Sequence, residues 1–177
     1  MLLEKEIKLL LRDVPDFPKP GIVFKDITPL FGNALARKKV VEEIANYFSR
    51  ENIQVLAAVE ARGFIFGALI AQELNIPFIP IRKAGKLPYK KITEEYSLEY
   101  GQASIEMHED AFAPGSRVLL HDDLLATGGT ATAAAHIVQQ LGGVVAGYSF
   151  IINLSFLPGE GLLKKRFDIK PHYIVKF

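Results

Sequence analysis

Asp122 and Asp123 stand side by side in the apolar run Val118-Leu119-Leu120-His121-Asp122-Asp123-Leu124-Leu125, and Ala126-Thr127-Gly128-Gly129-Thr130 follows at once. An apolar strand that ends in two carboxylates and a small-residue loop brings hydrogen-bond acceptors next to backbone donors. Gly128 and Gly129 let the main chain come close to a phosphate, with Gly129 the expected site of a positive φ. The Thr127 and Thr130 hydroxyls and the N–H groups of a helix starting there can hold phosphate oxygens. Asp122 and Asp123 can accept hydrogen bonds from sugar hydroxyls. The segment matches neither the P-loop, which needs a Lys after its last Gly, nor GxGxxG. Taken alone, a Gly-Gly loop also fits a plain strand-to-helix turn capped by Asp.

Other groups suit the same chemistry. Arg62 follows an apolar run inside Glu60-Ala61-Arg62-Gly63-Phe64, where a guanidinium can bind phosphate oxygens through two parallel hydrogen bonds. Arg82, Lys83 and Lys86 form a basic cluster able to neutralise a multiply charged leaving group, while Lys90 and Lys91 read as a solvated face. Phe24 is an aromatic able to stack on a base, and Glu99 is a carboxyl between Leu98 and Tyr100. The four histidines, His108, His121, His136 and His172, lack metal-ligand spacing, and no Gly-x-Ser-x-Gly elbow presents a serine.

The elements that must position these groups alternate. Leu3, Ile7, Leu10 and Leu11 share one side of a short amphipathic helix, which Pro15, Pro18 and Pro20 keep from continuing. Asn33 can cap a second helix with the stripe Val40, Val41, Ile44, Tyr47 and Phe48. Then come a strand over 53–59, a helix over 63–74, strands over 76–82 and 117–122, a helix over 130–141 and a strand over 144–152. Continuous apolar strands separated by helices predict a parallel sheet covered on both faces, with ligands beyond its carboxyl ends. Residues 83–95, with Gly85, Pro88 and four lysines, read as a mobile loop or lid before antiparallel strands over 96–100 and 102–107.

At 177 residues and 49% apolar content the chain is the size of one domain, and a formal charge of +1 carries no footprint for nucleic acid or anionic membrane. Without cysteine there are no thiolate nucleophiles, Cys-ligated metals or disulfides, which suits a reducing cytoplasm. The charged N-terminus Met1-Leu2-Leu3-Glu4-Lys5-Glu6-Ile7 does not read as a signal peptide, and no apolar run approaches a membrane span.

The stretch from Val118 to Thr130 resembles the phosphoribosyl-pyrophosphate signature of the type I phosphoribosyltransferases. Four further segments, in the family's order, are similar to its adenine branch: Phe17 to Leu30 as base-recognition segment, Glu60 to Phe64 as pyrophosphate loop, Ile81 to Pro88 as lid entry, and Tyr96 to Gly101 as lid exit. The resemblance implies an α/β fold with a mostly parallel central sheet flanked by helices, one domain over 1–177. It adds a small N-terminal base-binding hood within 1–32 and a flexible lid within 83–101. It implies transfer of the 5-phosphoribosyl group from 5-phosphoribosyl-1-pyrophosphate to adenine, making AMP and pyrophosphate in purine salvage. On this reading Arg62, Gly63, Arg82, Lys83, Lys86, Tyr100, Asp122, Asp123 and residues Ala126, Thr127, Gly128, Gly129 and Thr130 bind the sugar phosphates. Val23 and Lys25 read adenine through their backbones beside Phe24, and Glu99, Asp122 and Asp123 are catalytic. Mg2+ is held mainly by substrate with no direct protein ligand, the pyrophosphate loop often holds a non-proline cis peptide, and the enzyme is a cytoplasmic homodimer. A transferase for another base, or a regulator that keeps the fold without turnover, is the alternative. His121 departs from the family's usual aliphatic residue, and Asn153 from a frequent carboxylate.

Overall fold

The structure, a computed structural model, describes residues 2–98 and 101–177. A two-stranded antiparallel hairpin, β1 (Arg12–Pro15) with β2 (Val23–Asp26), follows helix α1 (Leu2–Leu10). After α2 (Thr28–Gly32) and α3 (Ala34–Phe48) come β3 (Val55–Val59), α4 (Arg62–Glu73), β4 (Phe78–Lys83), β5 (Lys91–Leu98) and β6 (Gly101–His108). The chain then runs through β7 (Arg117–Leu125), α5 (Gly129–Gln140), β8 (Val144–Asn153), α6 (Gly159–Phe167) and β9 (His172–Lys176). Seven strands form one sheet in the order β5-β6-β4-β3-β7-β8-β9, parallel from β4 to β9, with β6 antiparallel to β4 and to β5.

Strand β3 shows why the sheet is covered on both sides. All five of its residues are buried. Leu56 and Ala58 point into the core shared with α1, α3 and α4, while Val55, Ala57 and Val59 point into the core shared with α5. Period-two alternation in an all-apolar strand feeds two cores at once. Helix α5 presents Ala131, Ala133, Ala134 and Ala135 toward the sheet, small side chains that let it lie close above β7. Asn33 caps α3 as expected, its Oδ1 accepting the Ala36 N–H at 3.0 Å.

The mostly parallel α/β architecture expected from the alternation is present, with differences at particular places. β5 begins at Lys91, which shortens the expected 83–95 loop. Lys91 is no solvated lysine: its Nζ donates to the Leu87 carbonyl and lies 3.3 Å from buried Glu106. β7 runs past Asp122 to Leu125, where it still pairs with Asn153 of β8. Tyr47 leaves the apolar stripe of α3 and stacks on His172 with ring centroids 4.1 Å apart. The hairpin, α2, α6 and β9 went unassigned in the sequence.

His121 is buried in β7, opposite Ser149 of β8, whose hydroxyl lies 3.2 Å from its Nδ1. Its Nε2 has no partner among the described residues, and burial lowers its pKa from 6.5 to about 3. A histidine neutral in the folded state and protonated when unfolded contributes stability that is lost as pH falls from 6.5 toward 3. The double variant His121→Leu with Ser149→Ala should therefore resist acid, with the midpoint of acid unfolding, followed by circular dichroism, lower by about half a pH unit. An unchanged or higher midpoint contradicts this account of the buried imidazole.

Candidate active site

The carboxyl ends of β3 and β7 open onto a cleft of about 510 Å³. Its walls come from the turn that links β3 to α4 (Glu60 to Arg62), from the end of β7 and the loop to α5 (Asp122 to Ala131), and from Lys83 and Tyr96. Gly128 has φ 84° and is the N-cap of α5, so the left-handed residue of the loop is Gly128, whereas the sequence pointed to Gly129. Among the described residues no side chain caps α5, so its first N–H groups and the positive end of its dipole are available to an anion. Ala126, Thr127, Gly128, Gly129 and Thr130 all line the cleft.

Arg62 and the two aspartates are tied together inside the cleft. Arg62 Nε lies 2.6 Å from Asp123 Oδ2, and Asp122 Oδ1 accepts the Asp123 N–H at 2.8 Å. Burial, and then the neighbouring Asp123 carboxylate, push the Asp122 carboxyl well above its usual range. Gly63 packs against Asp122 with a Cβ position only 3.1 Å from its Oδ1, so a side chain at 63 would press on the carboxylate. The Glu60–Ala61 peptide beside them is cis.

The basic cluster is arranged around a residue that sequence reasoning missed. Glu60, whose side chain is almost fully enclosed, accepts from Arg82 Nε at 2.9 Å and from Lys86 Nζ at 2.5 Å. Burial alone would raise its carboxyl, but the hydrogen bonds from Lys86 and Arg82 outweigh it and hold the pKa below the usual value. The signal was the alignment of two strand ends: the Glu60 N–H donates to the Ile81 carbonyl, which puts Glu60 beside Arg82. Lys83 lines the cleft and has no ion-pair partner among the described residues. Tyr96 on β5 also lines it and was not singled out in the sequence.

The hairpin residues approach from the side. Phe24 lies under the Arg62 guanidinium at 5.1 Å and meets Phe17 edge-on at 5.2 Å, so Arg62 joins it to the cleft. Val23 is half exposed, and Lys25 reaches away to Asp13 at 2.7 Å and to the Phe177 ring at 4.1 Å. Glu99 and Tyr100 lie outside the described residues.

A family model for the phosphoribosyl transferase domain matches residues 31–170. The adenine phosphoribosyltransferase of Nitrosococcus oceani is 49% identical over 173 residues, covering 98% of this chain and 99% of that protein. The crystal structure of the adenine phosphoribosyltransferase of Thermoanaerobacter pseudethanolicus superposes with a TM-score of 0.93 at 46% identity, over 98% of this chain and 99% of the other. That of Saccharomyces cerevisiae, complexed with adenine and an imino-altritol bisphosphate, gives 0.89 at 34% identity over 98% of both.

A buried carboxyl whose pKa is raised on folding disfavours the folded state wherever pH exceeds its unfolded value of 3.8. Asn at 122 keeps the acceptor for the Asp123 N–H and removes the charge. Asp122→Asn should thus raise the thermal midpoint at pH 7 by about 3 °C, the shift expected from about 1 kcal/mol in a chain of this size. The gain should shrink as pH falls through 3.8 and vanish below about pH 3, where the wild-type carboxyl is neutral folded or unfolded. Melting curves at both pH values test this, and a lower midpoint for the variant at pH 7 would contradict it.

Proposed function

The chain belongs to the phosphoribosyltransferase family, and from that membership we propose that it joins adenine to 5-phosphoribosyl-1-pyrophosphate, making AMP and pyrophosphate. The observation that carries the reading is the juxtaposition, in one cleft, of the paired carboxylates Asp122 and Asp123, the uncapped start of α5 behind Gly128, and Arg62 on the facing turn. These are acceptors for a ribose diol, donors for its 5′-phosphate, and a cation for the pyrophosphate, at the switch point where α/β sheets bind ligands.

The reaction is displacement at C1′: the bond to the pyrophosphate oxygen breaks, the adenine N9 bond forms, and positive charge grows on the sugar ring between the two. Asp122 and Asp123 would hold the ribose hydroxyls and electrostatically favour that charge. Ala126 to Thr130 would hold the 5′-phosphate. Arg62 would exchange Asp123 for pyrophosphate oxygens, with Lys83 beside it and Arg82 and Lys86 released in part from Glu60. Lys86, whose side chain is half exposed, has the freer path to do so. The hard oxygens of Asp122 and Asp123 on the cleft wall fit the neighbourhood of a substrate-bound Mg2+, which neutralises charge on the leaving group.

For the base, adenine offers an amino donor beside a ring-nitrogen acceptor. Among the described residues β2 pairs with β1 alone, so one of its edges keeps backbone groups that no described strand takes up. Val23 and Lys25, two residues apart, present their backbone N–H and C=O groups to the same edge of β2. This supports Val23 and Lys25 as the backbone readers, with Phe24 stacking on the ring. Glu99 would hydrogen-bond a ring nitrogen and adjust its protonation, and Tyr100 would close over the sugar phosphates from the same lid. The enzyme would work as a homodimer in the cytoplasm.

Offering each common base with the ribosyl pyrophosphate and Mg2+ tests the reading directly. Adenine should react about a thousandfold faster than hypoxanthine, because a 6-oxo group reverses two buried contacts at roughly 1 to 3 kcal/mol each. Equal rates would remove the adenine assignment. Glu99→Gln should lower the single-turnover rate with adenine by roughly 10² to 10⁴ while leaving ribosyl pyrophosphate affinity near wild type. A wild-type single-turnover rate would return Glu99 to an ordinary surface carboxylate.

A further inference from the structure

At the end of β8 the Asn153 side chain is 99% enclosed, with 1% exposure, and its Nδ2 donates to Glu160 Oε2 at 2.8 Å. Its Oδ1 has no partner among the described residues. A half-satisfied buried amide is costly for stability, since each unpaired buried polar atom is unfavourable and an apolar side chain would avoid it. The bond it does make ties the last residue of β8 to the first turn of α6.

That turn is the floor of the loop between β7 and α5. The Gly159 N–H donates to the Ala126 carbonyl at 3.1 Å. A Cβ on Gly159 would collide with that same carbonyl, and one on Gly128 would come 3.1 Å from the Gly159 Cα. On the other side, Asn153 pairs with Leu125, and the Leu154 N–H donates to the Leu125 carbonyl at 3.0 Å. Residues 125 to 128 are therefore held from two directions, by the end of β8 and by the start of α6. The side-chain hydrogen bond between Asn153 and Glu160 locks those two supports to each other.

We infer that Asn153 and Glu160 are positioning residues for residues 126–130, fixing the left-handed Gly128 and the first N–H groups of α5 in the geometry that receives the 5′-phosphate. Neither touches substrate, and the inference rests on the proposed phosphate role of that loop. It also accounts for Asn153 standing where the resembled family often has a carboxylate: here α6 supplies the carboxylate and the strand supplies the amide.

Four variants of the full chain test this: Glu160→Ala, Glu160→Gln, Asn153→Asp, and the double variant Asn153→Asp with Glu160→Gln. AMP affinity by calorimetry, kcat and KM, thermal midpoint, and amide hydrogen exchange at residues 126–129 are compared at pH 8. Glu160→Gln keeps an acceptor for the Asn153 amide and should bind AMP like wild type. Glu160→Ala removes the bond, and Asn153→Asp sets two carboxylates against each other. Both should weaken AMP binding and raise the KM for ribosyl pyrophosphate by about tenfold, with a smaller change in kcat and faster exchange at 126–129. The double variant restores an amide–carboxylate pair with the donor reversed, and should recover both affinity and slow exchange.

Glu160→Ala binding AMP within twofold of wild type, or a double variant no better than Asn153→Asp, overturns the inference. So does a fall in thermal midpoint with unchanged exchange at 126–129, which would leave the pair a merely structural contact. If wild type itself does not bind AMP, the phosphate role fails, while exchange at 126–129 still reports whether the pair positions the loop.

Discussion

The Arg62 guanidinium lies 2.6 Å from Asp123 and 5.1 Å from the Phe24 ring, so one cation joins the start of α4, the end of β7 and the N-terminal hairpin. Removing it would leave adjacent carboxylates facing each other in a partly enclosed site, with the Asp122 carboxyl already driven upward by burial and by Asp123. Like charges this close are tolerated only when an opposite charge compensates them. The parallel sheet delivers both sides of the pair: β3 and β7 are neighbours in register, so the turn after β3 faces the end of β7. Placing Arg62 at the first position of α4 then aims its side chain across the gap.

Glu60 follows the same logic one strand further along. Its carboxylate holds Arg82 and Lys86 at the end of β4, so these two cations have an anionic partner before any anion arrives. Such pairing lowers the self-repulsion of a basic cluster and keeps its members on fixed stems. The cost is competition, because a phosphate must outbid a carboxylate for each cation it takes. A pyrophosphate carries several charges and can engage more than one cation at once, whereas Glu60 and Asp123 carry one each. An exchange of that sort favours multivalent anions over simple ones, and it is compatible with a chain whose formal charge is only +1.

The parts legible in the sequence were those with a local physical cause. β3, α4, β7 and α5 each have an apolar pattern of adequate length, and Asn33 carries its own cap. The Asp122, Asp123 and Ala126 to Thr130 cluster could be read because strand, loop and helix start are contiguous. The hairpin could not: β1 and β2 have four residues each, none of them buried, and β1 ends on Pro15, so their pairing depends on tertiary contact. α6 has Gly159 and Gly161 in its first turn, a poor local signal for a helix. Glu60 and Asn153 were hidden for a different reason. Their roles arise from partners at 82, 86 and 160, and no period along one segment reveals a pairing between segments.

Several polar groups in costly settings lie at the carboxyl ends of β7 and β8 and the start of α5. The Asp122 carboxyl is destabilised as an anion, Asn153 Oδ1 and Thr132 Oγ1 lack partners among the described residues, and Gly128 takes a φ that side chains rarely adopt. By contrast, the central residues of β3 and the alanines of α5 are apolar and enclosed, as a core optimised for stability should be. Stability supplied by the two cores is what lets the strand ends hold groups in arrangements they would not choose alone. The site is thus a polar edge, costly in its charges and unpaired groups, carried by a well-packed sheet. Its loop geometry is set from below by α6, and its charge balance from the side by Arg62 and Glu60.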